Sequence, residues 1–204
     1  MKQNREYRNC QTFRIELNED AAEAIAVTGY ATTFDQPYTL YSQDGVEVRE
    51  VVDPKAFDKC DMTDVIMQYN HEGRVFARVK NGTLAIMPDE HGLRIQANLG
   101  GTEIGRQLYE EIRGGYTDKM SFGFTVSDEK RETAVEGGKT IITRRITGIG
   151  KLYDVSAVSI PANDSTSICA RSFCEGVIAE LEAERLSVLQ LEKSKLKIKI
   201  SMEG

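Results

Sequence analysis

Alternation is the feature that constrains this chain most. Between residues 24 and 164, apolar and polar side chains trade places with a period of two in one segment after another. That period marks strands with one buried face. "AIAVTGYATTF" (24–34), "DGVEVREVV" (44–52), "DVIMQYNHEG" (64–73) and "KMSFGFTV" (119–126) each read as a strand. "GTLAIMPDEHGLRIQANL" (82–99) reads as a hairpin, because two apolar runs flank a Pro/Asp/Gly turn. "KTIITRRITGIGKLYDVSAVSIPAND" (139–164) supplies two more strands and a stop at Pro161.

Two stretches depart from that period. "DPKAFDKC" (53–60) reads as a short helical turn, with Asp53 as cap and Pro54 at the first helical position. "TEIGRQLYEEIRGG" (102–115) predicts a full helix: Thr102 caps it, Ile104, Leu108 and Ile112 recur at spacing four, and Gly114-Gly115 ends it. About seven strands with one full helix predict an α+β, mainly β fold, a small β-barrel with embedded helices.

The ends read differently. Residues 1–23 form a polar N-terminal arm, residues 24–171 the barrel domain, and residues 172–204 an extension. The extension starts as an acidic amphipathic helix with Val177, Ile178, Leu181, Val188, Leu189 and Leu191 on one face. It ends as a basic tail, "KSKLKIKI".

Composition narrows the function. With 40% apolar and 28% charged residues the chain can bury a core. A net charge of −6 without a dense basic stretch argues against a nucleic-acid partner. The polar start predicts no signal peptide, and no segment reaches the roughly 20 apolar residues of a membrane span. The expected location is the cytoplasm. Cys10, Cys60, Cys169 and Cys174 form no CxxC pair, so free thiols are expected and no metal or cofactor.

In "KMSFGFTV", alternation puts Met120, Phe122, Phe124 and Val126 on one face and Ser121, Gly123 and Thr125 on the other. Ser121 on a small-residue face is either the wet side of an ordinary strand or a nucleophile with access, and Gly123 reads as open space beside it. A serine nucleophile needs a base and a group to orient it. Of the two histidines, His91 sits at a hairpin tip, where a turn needs no function. His71 follows an apolar strand, on the face of Val65, Met67 and Tyr69, and reads as a base or a structural histidine. Asp154 shares the face of Leu152, Ser156 and Val158. A carboxylate there is costly without a partner, and a histidine ring, an arginine or water each fits. Cys60, near His71 in sequence, is a rival nucleophile.

The blocks "GYATTF", "VDPKAF", "YNHEGR", "DEHGLRIQANL", "MSFGF" and "YDVSAVSIPAN" occur in the order seen in the tailed-phage prohead maturation proteases. The chain resembles that family over roughly residues 26–170. The resemblance implies an assemblin-like β-barrel, as in herpesvirus capsid proteases. It also implies a serine endopeptidase that cuts scaffold segments from the major capsid protein inside an assembling prohead in the host cytoplasm. By the same resemblance Ser121 is the nucleophile, His71 the base and Asp154 the third member. Many relatives have Asp directly after the histidine, where this chain has Glu72, and many have Glu where Asp154 stands. The implied partners are the capsid protein and its scaffold segment. The terminal extension is expected to self-associate or to be cut by the enzyme itself. The rival reading is a non-catalytic capsid-binding member of the same assembly.

Overall fold

A computed structural model describes residues 5–14, 16–17, 25–159 and 168–203, with side chains for 5–8, 25–159 and 174–195. The strands are β1 (Glu6–Arg14), β2 (Glu16–Leu17), β3 (Ala26–Thr33), β4 (Tyr38–Gln43), β5 (Val46–Val52), β6 (Ile66–Tyr69), β7 (Glu72–Arg78), β8 (Leu84–Pro88), β9 (Gly92–Asn98), β10 (Lys119–Glu136) and β11 (Lys139–Val158). Helix α1 spans Glu103–Arg113 and α2 spans Ile168–Glu203. The class is α+β, mainly β.

The barrel is a correction. The described strands form two open sheets and no closed barrel. One runs β1-β10-β11-β5-β4, with β6 and β7 added along β11. The other runs β2-β3-β9-β8. The described residues hold eleven strands where about seven were expected. Residues 139–158, read as two strands, form one strand of 20 residues. Its first half pairs in parallel with β5, from Thr140–Val46 to Ile146–Val52. Its second half pairs in parallel with β6, from Asp154–Ile66 to Ala157–Tyr69. One long strand thus serves as template for two short ones, joined by the turn at 53–60. In that turn the Asp53 carboxylate accepts from the Lys55 amide at 3.0 Å, as its capping position predicts.

The core lies between the sheets. Phe122, Phe124, Met67, Leu93, Ile95 and Leu99 are all fully buried there. Phe122 and Phe124, two residues apart on one face, stack at 4.4 Å between centroids. Helix α1 closes one side with Leu108 and Ile112. Thr102 caps it by accepting from the Gly105 amide, a bond worth about 1 kcal/mol. Gly115, at φ +75°, supplies the left-handed residue that ends it.

The arm and the extension also differ from expectation. Residues 6–10 of the arm add an edge strand to β10, with Asn9 opposite Ser121 and Tyr7 opposite Gly123. Helix α2 begins before residue 172 and docks by Cys174 and Val177 onto Val46, Val48 and Ile142. Leu186, Val188, Leu189 and Leu191 stay exposed. Residues 15, 18–24 and 160–167, with the stop expected at Pro161, lie outside the described residues.

Candidate active site

Register brings the three candidate residues together. Ser121 on β10 faces Ser156 on β11, and Gly123 faces Asp154. Strand β6 lies on the other side of β11 and ends at Tyr69, so the β6–β7 turn drops His71 onto the same surface. Two local devices aim the side chains there.

The first is a bulge at Tyr153. Phe124 pairs with Leu152 and Gly123 with Asp154, so β11 gains one residue over β10. Strict alternation puts Asp154 on the face of Leu152. The extra residue instead leaves Leu152 in the core and turns Asp154 to the opposite face, as bulges do when they re-aim a side chain. The second device is the turn Asn70-His71, a two-residue hairpin loop in which both residues have positive φ, +50° and +62°. Such loops favour Asn-Gly, and a histidine there is strained. The Asn70 amide donates to the Ala157 carbonyl at 3.0 Å, and the His71 amide donates to Ser156 Oγ at 3.3 Å. These bonds hold the turn. They also carry His71 off the face of Met67, where alternation put it.

The result is three groups in line, each within hydrogen-bond distance of the next. His71 Nε2 lies 2.5 Å from Ser121 Oγ, and His71 Nδ1 lies 2.5 Å from Asp154 Oδ1. An ionised carboxylate only accepts, so Nδ1 carries the ring proton and Nε2 presents its lone pair to the hydroxyl. Ser156 Oγ donates to Asp154 Oδ1 at 3.0 Å. The Asp154 carboxylate is fully buried and the His71 side chain 15% exposed. Burial, and then the nearby Arg5 guanidinium, push the His71 pKa down from 6.5 to about 4. The ring is therefore neutral at pH 7 and able to take a proton.

Gly123 has a different reason from the one read in sequence. The space beside Ser121 is filled. A Cβ at Gly123 would lie 2.4 Å from Asp154 Oδ2 and 2.8 Å from the Tyr7 ring. The glycine lets the carboxylate lie flat across β10. The rival groups are elsewhere. His91 is exposed at the β8–β9 tip, beside Glu90 at 3.5 Å. Cys60 sits against the Asp61 carbonyl, and burial raises its thiol pKa to about 11, which makes it a poor nucleophile.

Sequence reasoning missed the residues around these three groups. Arg5 donates to Asp154 Oδ2, and the Tyr7 ring lies 4.4 Å from the His71 ring between centroids. Nothing in a polar terminus marks them. Ser156 was within reach, since it shares a face with Asp154 in "YDVSAV". A cleft of about 540 Å³ opens beside the turn, lined by Tyr69, Asn70, Glu72 and Arg74 and by Ile104 and Glu111 of α1.

A serine, a neutral imidazole and a buried carboxylate in line can perform acyl transfer. Residues 11–176 match the sequence model of the Caudovirus prohead serine proteases. The chain belongs to that family, a group of serine peptidases of phage capsid maturation. No curated protein and no solved structure matches it significantly.

Proposed function

We propose that this protein is the protease that cuts scaffold segments from the major capsid protein during prohead assembly, with Ser121 as nucleophile. The observation that supports this most is the Ser121–His71–Asp154 chain, with 2.5 Å at both links. His71 Nε2 takes the hydroxyl proton as Ser121 Oγ attacks a peptide carbonyl. The imidazolium then gives the proton to the leaving amine. Water attacks the acyl-enzyme by the same route in reverse, and a free carboxylate leaves. Asp154 holds the ring tautomer and balances the charge that forms on it. The same alignment argues against a non-catalytic capsid-binding protein, a reading that the burial of Ser121 would otherwise favour.

Substrate is taken in extended form, so the capsid precursor should be cut in a linker between folded parts. The C-terminal extension, a helix over Ile168–Glu203, must unwind locally before the enzyme can cut it. Treatment with a fluorophosphonate followed by peptide mass mapping tests the assignment. The adduct is expected on Ser121 and absent after His71→Ala. An adduct on another serine, or one that survives His71→Ala at the same rate, would overturn it.

A further inference from the structure

The serine in line with His71 and Asp154 is covered by the chain's own first strand. Ser121 is fully buried. The strand over it is β1, which pairs antiparallel with β10 from Glu6–Phe124 to Cys10–Met120. Strand β1 stands at the edge of its sheet, so it occupies the position where an extended peptide would add to β10.

We propose that the edge of β10 at Ser121 is the docking strand for an extended substrate peptide, and that residues 5–9 occupy it as a tethered competitor. This rests on the serine-protease reading above. Each described side of the strand engages the site. The Arg8 carbonyl lies 2.9 Å from Ser121 Oγ. A hydroxyl has one proton, so a bond to that carbonyl takes the proton away from His71 Nε2. Arg5 pairs with Asp154, and Tyr7 covers the face of His71. The strand thus caps all three groups at once and leaves no room for a second peptide.

The strand is also held in a way that allows exchange. None of residues 5–8 belongs to a hydrophobic core cluster. Their anchor is ionic. Arg8 makes a two-pronged bond to Glu50, at 2.7 and 2.8 Å, and Arg144 joins Glu6 to Glu50. Desolvation offsets much of the attraction in a buried ion pair, so such an anchor adds little net stability. When β1 leaves, Arg144 and Glu50 still pair with each other. Arg5 Nε, buried without a hydrogen-bond partner, adds to the imperfect fit. A substrate strand that places its own cation at the Arg8 position would recover the Glu50 contacts, so the edge favours a peptide with Arg or Lys there.

The test uses the full-length chain and a small fluorophosphonate. Arg5→Ala removes the ion pair to Asp154, and Tyr7→Ala removes the ring from His71. The double variant should label Ser121 about tenfold faster than the wild type, the effect of losing one charged hydrogen bond. A synthetic peptide of residues 1–9, "MKQNREYRN", added in trans should slow the variant in a concentration-dependent way. Should the double variant fail to fold, Arg5→Ala alone, at a side chain 34% exposed, carries the same comparison. Equal labelling of Ser121 in wild type and variant would overturn the competitor and leave the protease reading intact. A faster variant that ignores the added peptide would also overturn it, and would assign the gain to a His71 freed from the Arg5 charge. No label on Ser121 in any form would overturn both.

Discussion

Gly123→Ala puts the geometry of the site under direct stress. The added methyl meets Asp154 Oδ2 at 2.4 Å, where ordinary contact needs at least 3.4 Å. Something must move by about 1 Å. The strand backbone cannot easily yield, because β10 is paired on both edges, by β1 and by β11. The carboxylate is the group that gives, and it is the group bonded to His71 Nδ1 that is proposed to orient the ring. A displacement of about 1 Å at a catalytic group costs roughly 10²-fold in rate. Overpacking in a buried site costs about 1–3 kcal/mol of stability. In a chain of this size 2 kcal/mol lowers Tm by about 4–8 °C. Cleavage of a co-expressed capsid precursor reads the rate, and a thermal scan reads the stability. A Gly123→Ala protein with wild-type cleavage and unchanged Tm would refute the claim that the glycine makes room for Asp154.

The two histidines should separate cleanly: His71→Ala abolishes precursor cleavage, while His91→Ala leaves it near wild type. With the neutral ring proposed as the base and its pKa lowered to about 4, kcat/KM should hold through pH 6.5 and fall only as pH approaches 4. A fall centred at 6.5 would contradict the burial argument. Stability shares the direction. The folded ring binds a proton less readily than the unfolded one, so acid favours unfolding, and stability should drop as pH goes from about 6.5 toward 4. Glu50→Ala should cost about 3–5 kcal/mol, because Arg8 and Arg144 lose their common buried carboxylate. A Tm within 2 °C of wild type, roughly the shift of a surface change, would show the cluster to be dispensable.

Much of this was legible because the signals were local. The Thr102 cap, the spacing of Leu108 and Ile112 and the Gly114-Gly115 stop sit within one helix, and α1 follows them. The 82–99 hairpin is set by its own turn and forms as β8–β9. The order of short blocks resembling the family pointed to Ser121, His71 and Asp154, which the fold brings within hydrogen-bond distance in line. The faces of two of them were not legible. Alternation assumes an unbroken strand, and both His71 and Asp154 sit where it breaks, one in a left-handed turn and one after a bulge. The N-terminal strand was illegible for another reason. Its residues are polar, and what makes Glu6 and Arg8 bury is the charge of Glu50 and Arg144, brought together only by the fold. The long β11 read as two strands, and the glycine-containing stretch "TGIG" lies near its middle. In the sheet it is a stretch of irregular register, with shifts opposite Val126 and Asp128.

The central claim is that Ser121 carries out peptide cleavage. Co-expression of the capsid precursor with wild-type or Ser121→Ala protein, followed by intact-mass measurement of the capsid chain, addresses it most directly. The substitution removes one hydroxyl from a buried site and should leave Tm within a few degrees, while the loss of a nucleophile lowers the rate by about 10³-fold or more. The account predicts a shortened capsid chain with the wild type and a full-length one with Ser121→Ala. A capsid chain shortened equally by both proteins would contradict it.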